Sequence, residues 1–80
     1  MYLYNKETTY IAQNNYNNYL VRARIYLHEN VIFDEIICVY KDNIIIGKLI
    51  QGEIINYNDE SIEPIIELFN NDLKQMGYEI

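Results

Sequence analysis

Eighty residues with an apolar fraction of 50% and a net charge of −6 describe a chain that folds as one domain, residues 1–80, far from the composition of disorder. Excess negative charge repels nucleic acid and anionic membranes, so direct binding to either is not expected. No apolar run approaches the roughly 20 residues that span a bilayer and no basic stretch leads into an apolar one, so a cytoplasmic protein is expected, in the host cell's cytoplasm if the chain is viral.

Residues 1–12 mix Tyr2, Tyr4, Tyr10 and Ile11 with Lys6, Glu7, Thr8 and Thr9, which favours a short strand or hairpin. Gln13-Asn14-Asn15-Tyr16-Asn17-Asn18 reads as a loop, because Asn side chains compete for local backbone hydrogen bonds. Over residues 19–28 the alternation is clean: Tyr19, Val21, Ala23, Ile25 and Leu27 point one way, Arg22, Arg24, Tyr26 and His28 the other. This predicts a half-buried strand. Glu29-Asn30 reads as a turn with Asn30 at positive φ, and residues 31–40 as the returning strand, with a bulge or a fresh start at Asp34-Glu35.

Asp42-Asn43 is the next turn, leading into a strand from Ile44 to about Ile50, extendable to Ile55. With Asp42 and Asn43 as the two turn residues, Lys41 faces Ile44, Tyr40 faces Ile45, Cys38 faces Gly47 and Ile36 faces Leu49. One face then holds Ile36, Cys38, Tyr40, Ile45 and Leu49. The other holds Ile37, Val39, Ile44 and Ile46 between Lys41 and Lys48. A single helix covers only one of them, leaving the second for the N-terminal segment, another copy of the chain, or a partner protein. Gly47 and Gly52 mark a bulge or a close backbone approach.

Ser61 is the expected N-cap of a helix over about residues 62–76, with Pro64 at its third position. Ile62, Ile65, Ile66, Phe69, Leu73 and Met76 form its apolar stripe and Gly77 its stop. The expected fold class is α+β: an antiparallel sheet of three to four strands with one C-terminal amphipathic helix packed on one face.

The charge is concentrated in this last third. Glu53, Asp59, Glu60, Glu63, Glu67, Asp72 and Glu79 stand against Lys74 alone, whereas residues 1–52 balance five acids with five bases. The helix dipole accounts for Asp59, Glu60 and Glu63 near the N-terminus. It does not account for Glu53, Glu67, Asp72 or Glu79, which point to a basic partner. Were the helical turn to include Glu60, the Cα atoms of Glu60, Glu63 and Glu67 would rise roughly 10 Å, at 1.5 Å per residue, a length over which one DNA strand sets about three phosphates. Tyr57 and Tyr78 flank this face, and tyrosine suits interfaces because it joins a large rigid area to a polar tip. The candidate partner-binding set is therefore Glu53, Tyr57, Asp59, Glu60, Glu63, Glu67, Asp72 and Tyr78.

For catalysis the inventory is one His, one Cys and one Ser, without a glycine-rich phosphate loop or metal-ligand spacing. Neither an enzyme nor a cofactor or metal is expected. His28 ends a strand, Asp34 and Glu35 diverge to opposite faces, and Cys38 in its apolar run reads as a buried free thiol. The 11 Asn and 4 Lys suggest AT-rich coding from which positive charge has been held back by the protein's task. In size, acidity and Tyr/Asn richness the chain resembles the small proteins that bacteriophages of AT-rich hosts encode to block host or defence enzymes, anti-CRISPR proteins among them. The expected function is a protein-binding inhibitor, DNA-mimic-like, that blocks a basic nucleic-acid-binding surface of a larger enzyme. The alternatives are a small homodimeric structural or accessory subunit, and an antitoxin or immunity-type protein.

Overall fold

The computed structural model describes residues 8–79. Five strands precede one helix: β1 (Thr8–Tyr16), β2 (Tyr19–His28), β3 (Val31–Lys41), β4 (Ile44–Ile50), β5 (Glu53–Asn56) and α1 (Glu63–Gln75). The sheet is an antiparallel meander in the order β1-β2-β3-β4-β5. It has five strands rather than three to four, for two local reasons. The Asn-rich stretch expected as a loop is the second half of β1, and the run after Ile50 turns back at Gln51-Gly52 to form β5. The first seven residues, where part of a strand or hairpin was expected, lie outside the described residues.

Each strand-to-strand connection is a two-residue turn that needs left-handed backbone. Asn17 (φ 57), Glu29 (φ 57), Asp42 (φ 54) with Asn43 (φ 66), and Gln51 (φ 53) with Gly52 (φ 78) supply it. Such turns twist in the sense of the strands they join. In the β2–β3 turn the left-handed residue is Glu29, not Asn30.

Two bulges set the faces. Tyr26 pairs with Asp34 but Leu27 with Ile32, so Phe33 is the extra residue, one place before the expected interruption. In β4, Tyr40 pairs with Ile45 but Val39 with Gly47, making Ile46 extra. This second bulge shifts the expected register: Ile37, not Ile36, faces Leu49, and Cys38 faces Lys48. Leu49 thereby moves to the helix side and Lys48 to the opposite one.

The core lies between the sheet and α1: Val21, Ala23, Ile25, Leu27, Ile32, Ile37, Val39 and Ile46 against Ile62, Ile65, Ile66, Phe69 and Leu73. Full burial of a side chain such as Leu73 contributes about 1.5–3 kcal/mol over leaving it exposed. Met76, expected in this stripe, is exposed. Ile62 itself is the N-cap, so Pro64 occupies the second helical position, and Ser61, one residue further out, accepts the Glu63 N–H on Oγ at 3.3 Å. Gly77 (φ 103) ends α1, with the Gly77 N–H on the Lys74 carbonyl and the Tyr78 N–H on that of Leu73, the paired reverse bonds of a Schellman stop. Glu79 then bridges to Val31 beside the β2–β3 turn. No helix among the described residues is long and apolar enough to cross a membrane.

Candidate functional site

The acidic segment is held to the sheet by short-range chemistry before the helix begins. Asn56 Oδ1 accepts the Ile62 N–H (2.9 Å), Asn58 Oδ1 the Glu60 N–H (2.8 Å), and the Tyr57 N–H reaches the Ile46 carbonyl (2.9 Å). Side chains of Asn readily close such local turns. Below them Ile62 seats on Gly47: a Cβ there would lie 2.9 Å from Ile62 side-chain carbons and 2.8 Å from the Ile55 carbonyl oxygen. Gly47 is thus the close approach its sequence position suggested.

The eight candidate residues separate into two groups. Glu60, Asp72 and Tyr78 fasten the helix and its leader to the sheet. Glu60 accepts the Tyr19 hydroxyl and stands 3.7 Å from Lys41 Nζ, which also lies 5.4 Å from the Tyr19 ring centre. Asp72 accepts the Tyr16 hydroxyl and, at 3.0 Å, the Asn14 amide. It therefore has a local reason to be acidic. Tyr78 is half-buried, with its ring 5.7 Å from that of Tyr10.

Tyr57, Asp59, Glu63 and Glu67 remain exposed. Glu63 and Glu67 lie one turn apart on the side of α1 away from the buried residues. Glu53 is exposed too, but on β5, where alternation turns it to the sheet face opposite the helix. The structure therefore brings Glu63 and Glu67 together, leaves Tyr57 and Asp59 exposed in the segment before the helix, and sets Glu53 apart.

Two titrations are shifted. Burial, then the bond to Asp72, pushes the Tyr16 hydroxyl up to about 12. Burial, followed by the neighbouring Asp34 charge, raises the Glu35 carboxyl above the ordinary carboxylate range, opposed in part by the Asn70 side chain. Glu35 Oε2 and Asn70 Oδ1 are both buried without a hydrogen-bond partner.

The second sheet face, for which a cover was expected, is open among the described residues. The N-terminal strand lies beside β2, as an edge, rather than over that face. The face sets Arg22, Arg24 and Lys48 around half-buried Ile36, Cys38, Tyr40 and Ile45. Cys38 is accordingly half-buried and opposite Arg22, not a core thiol. A groove of about 380 Å³ at one end of this face is lined by residues including Asn15, Leu20, Arg22, Tyr40 and Asn43. The free acids Glu63 and Glu67 thus lie on the helix side, while the opposite face carries Arg22, Arg24 and Lys48 together with Asp34 and Glu53. The alternation of residues 19–28 carried part of that signal in Arg22 and Arg24; Gly47 marked the β4 bulge that adds Lys48, but not the register it produces. Comparison with protein-family models, curated proteins and solved structures returned no match.

Proposed function

We infer that the protein is a small non-catalytic binding protein that occupies a basic, nucleic-acid-binding surface of a larger protein, blocking a host or defence enzyme. The supporting observation is the exposure of Glu63 and Glu67 on the outward side of α1, with Asp59 and Tyr57 also exposed in the segment that leads into it. Glu60 and Asp72 spend their charge inside the molecule, on Tyr19, Lys41, Tyr16 and Asn14. They hold that side rigidly, which reduces the ordering cost of binding. Complementary charge then speeds encounter, and the tyrosine contributes contact area once water is excluded.

The test is affinity capture from a lysate of the cells in which the chain is encoded, comparing wild type with the Glu63→Gln, Glu67→Gln double variant. A protein retained by wild type, released by salt and lost by the double variant supports the reading. Equal capture by both chains, or capture of nothing, removes it.

A further inference from the structure

β1 is one of the sheet's two edges among the described residues, nine residues long; the other edge, β5, has four. Soluble proteins blunt long edges with charges, prolines or bulges, because the unpaired backbone groups recruit another strand. Thr8–Tyr16 contains no charged residue and no proline. Its pairing with β2 runs unbroken from Thr8↔Leu27 to Tyr16↔Tyr19. With a two-residue turn after Tyr16, alternation directs the N–H and C=O groups of Tyr10, Ala12, Asn14 and Tyr16 toward β2, and those of Thr9, Ile11, Gln13 and Asn15 outward. The Asn15 N–H turns to the Asn14 side chain at 2.9 Å, as an amide outside the ladder does.

Exposed apolar side chains flank this edge, Leu68 and Met76 on the helix side and Ile11 on the opposite face. Asp72 marks the flank of α1 that faces β1, through Asn14 and Tyr16. Leu68 and Met76 lie four residues before and after it, on that flank, and are 49% and 59% exposed. Ile11, on β1 itself, is 63% exposed.

We propose that β1 is the seam of a homodimer, in which a second copy pairs its own β1 antiparallel about a two-fold axis at Ala12. The two sheets become one, both helices lie on the same face, and the Leu68 and Met76 flanks close toward each other. The occupant is a second copy because an isologous contact must tolerate itself. About this axis Thr9 meets Asn15, Ile11 meets Gln13 and Ala12 meets Ala12, so no charge opposes a like charge. The open sheet face would instead bury five charged side chains of each copy, Arg22, Arg24, Asp34, Lys48 and Glu53. This seam is independent of the acidic-face reading.

Sedimentation equilibrium on the whole chain, with two variants, tests it. The wild type is expected at twice its 9.6 kDa mass, and Ile11→Lys at the single-copy mass with an unchanged far-ultraviolet circular dichroism spectrum. In a Cys38→Ser background, Ala12→Cys should form an intermolecular disulfide on mild oxidation, since residues facing each other across antiparallel strands lie within disulfide reach. Gln51→Cys, in the β4–β5 turn away from β1, should not. A single-copy wild type, a dimer left intact by Ile11→Lys, or cross-linking no greater at Ala12→Cys than at Gln51→Cys would each overturn the seam. Binding of an added extended peptide to a single-copy chain would assign the edge to strand addition by another protein instead.

Discussion

The carboxylate of Asp72, near the end of α1, accepts the hydroxyl of Tyr16, the last residue of β1. One bond thereby joins two elements separated in the chain by the other four strands. Removing it with Asp72→Ala also frees the Asn14 amide, and should cost about 1.5–3 kcal/mol, the range for hydrogen bonds to a charged group. Chemical denaturation of the two chains measures the difference.

Burial of the Tyr16 hydroxyl, followed by the same bond, sets an alkaline limit. The Tyr16 hydroxyl ordinarily ionises near 10.0 and here near 12, so the folded state holds this proton more tightly than the unfolded one. Its contribution is complete below pH 10 and declines as pH rises through the folded value near 12. Tyr16→Phe should be less stable at neutral pH and should lose less stability than wild type between those limits. Parallel loss in both chains would show that other groups govern the alkaline side.

Glu35 has the same direction of shift from a different cause. A carboxyl raised by burial contributes stability below its unfolded pKa and loses it as pH rises through the folded value, so at neutral pH its charge is a cost. Glu35→Gln supplies a neutral amide that can donate toward Asn70 Oδ1, which has no partner. The variant should be more stable at pH 7 by about 1 kcal/mol, and the gain should shrink as wild-type Glu35 becomes protonated in acid. Urea midpoints across that pH range report it.

Gly47→Ala places a methyl group against the Ile55 carbonyl oxygen at 2.8 Å and Ile62 at 2.9 Å. Ile62 can yield at its side chain, but the carbonyl belongs to the backbone of β5. A loss of about 1–3 kcal/mol is expected. Adding Ile62→Val should recover only part of it, and full recovery would place the whole conflict on the side chain.

Among the acidic residues, stability and binding should separate. Glu60→Gln weakens the links to Tyr19 and Lys41 and, at a half-exposed site, should cost up to about 1 kcal/mol. Glu67→Gln removes no hydrogen bond or ion pair among the described residues and should stay within about 0.5 kcal/mol of wild type, and Glu63→Gln gives up only a charge in the first helical turn, about 0.3–1 kcal/mol. Equal melting curves for all three would deny Glu60 its structural part.

β2 was fully legible because its alternation has one buried and one wet side, and the Asp42-Asn43 turn because both residues tolerate positive φ. The Asn-rich half of β1 was not. Its local preference for turns is outweighed by Asn14 and Tyr16 bonding to Asp72 and by the packing of Tyr10, Ala12 and Tyr16 against the core. The Gln51-Gly52 turn was obscured because Gln51 takes positive φ with no side-chain preference for it. Lys48 was misplaced because a single extra residue at Ile46 reverses every side chain beyond it. As for the acidic surface, its total charge is written in the sequence, but the division between Glu60 and Asp72 on one side and Glu63 and Glu67 on the other depends on tyrosines from β1 and β2.

The position of α1 after all five strands has a bearing on synthesis. A ribosome delivers the meander complete, turn by turn, while Val21, Ile25, Ile37 and Val39 still lack the helix that covers them. Nascent domains with exposed apolar strands are substrates for chaperones and aggregation. A stop codon or frameshift anywhere before Leu73 therefore releases an uncovered sheet, so truncations within α1 should be as damaging as truncations within the strands.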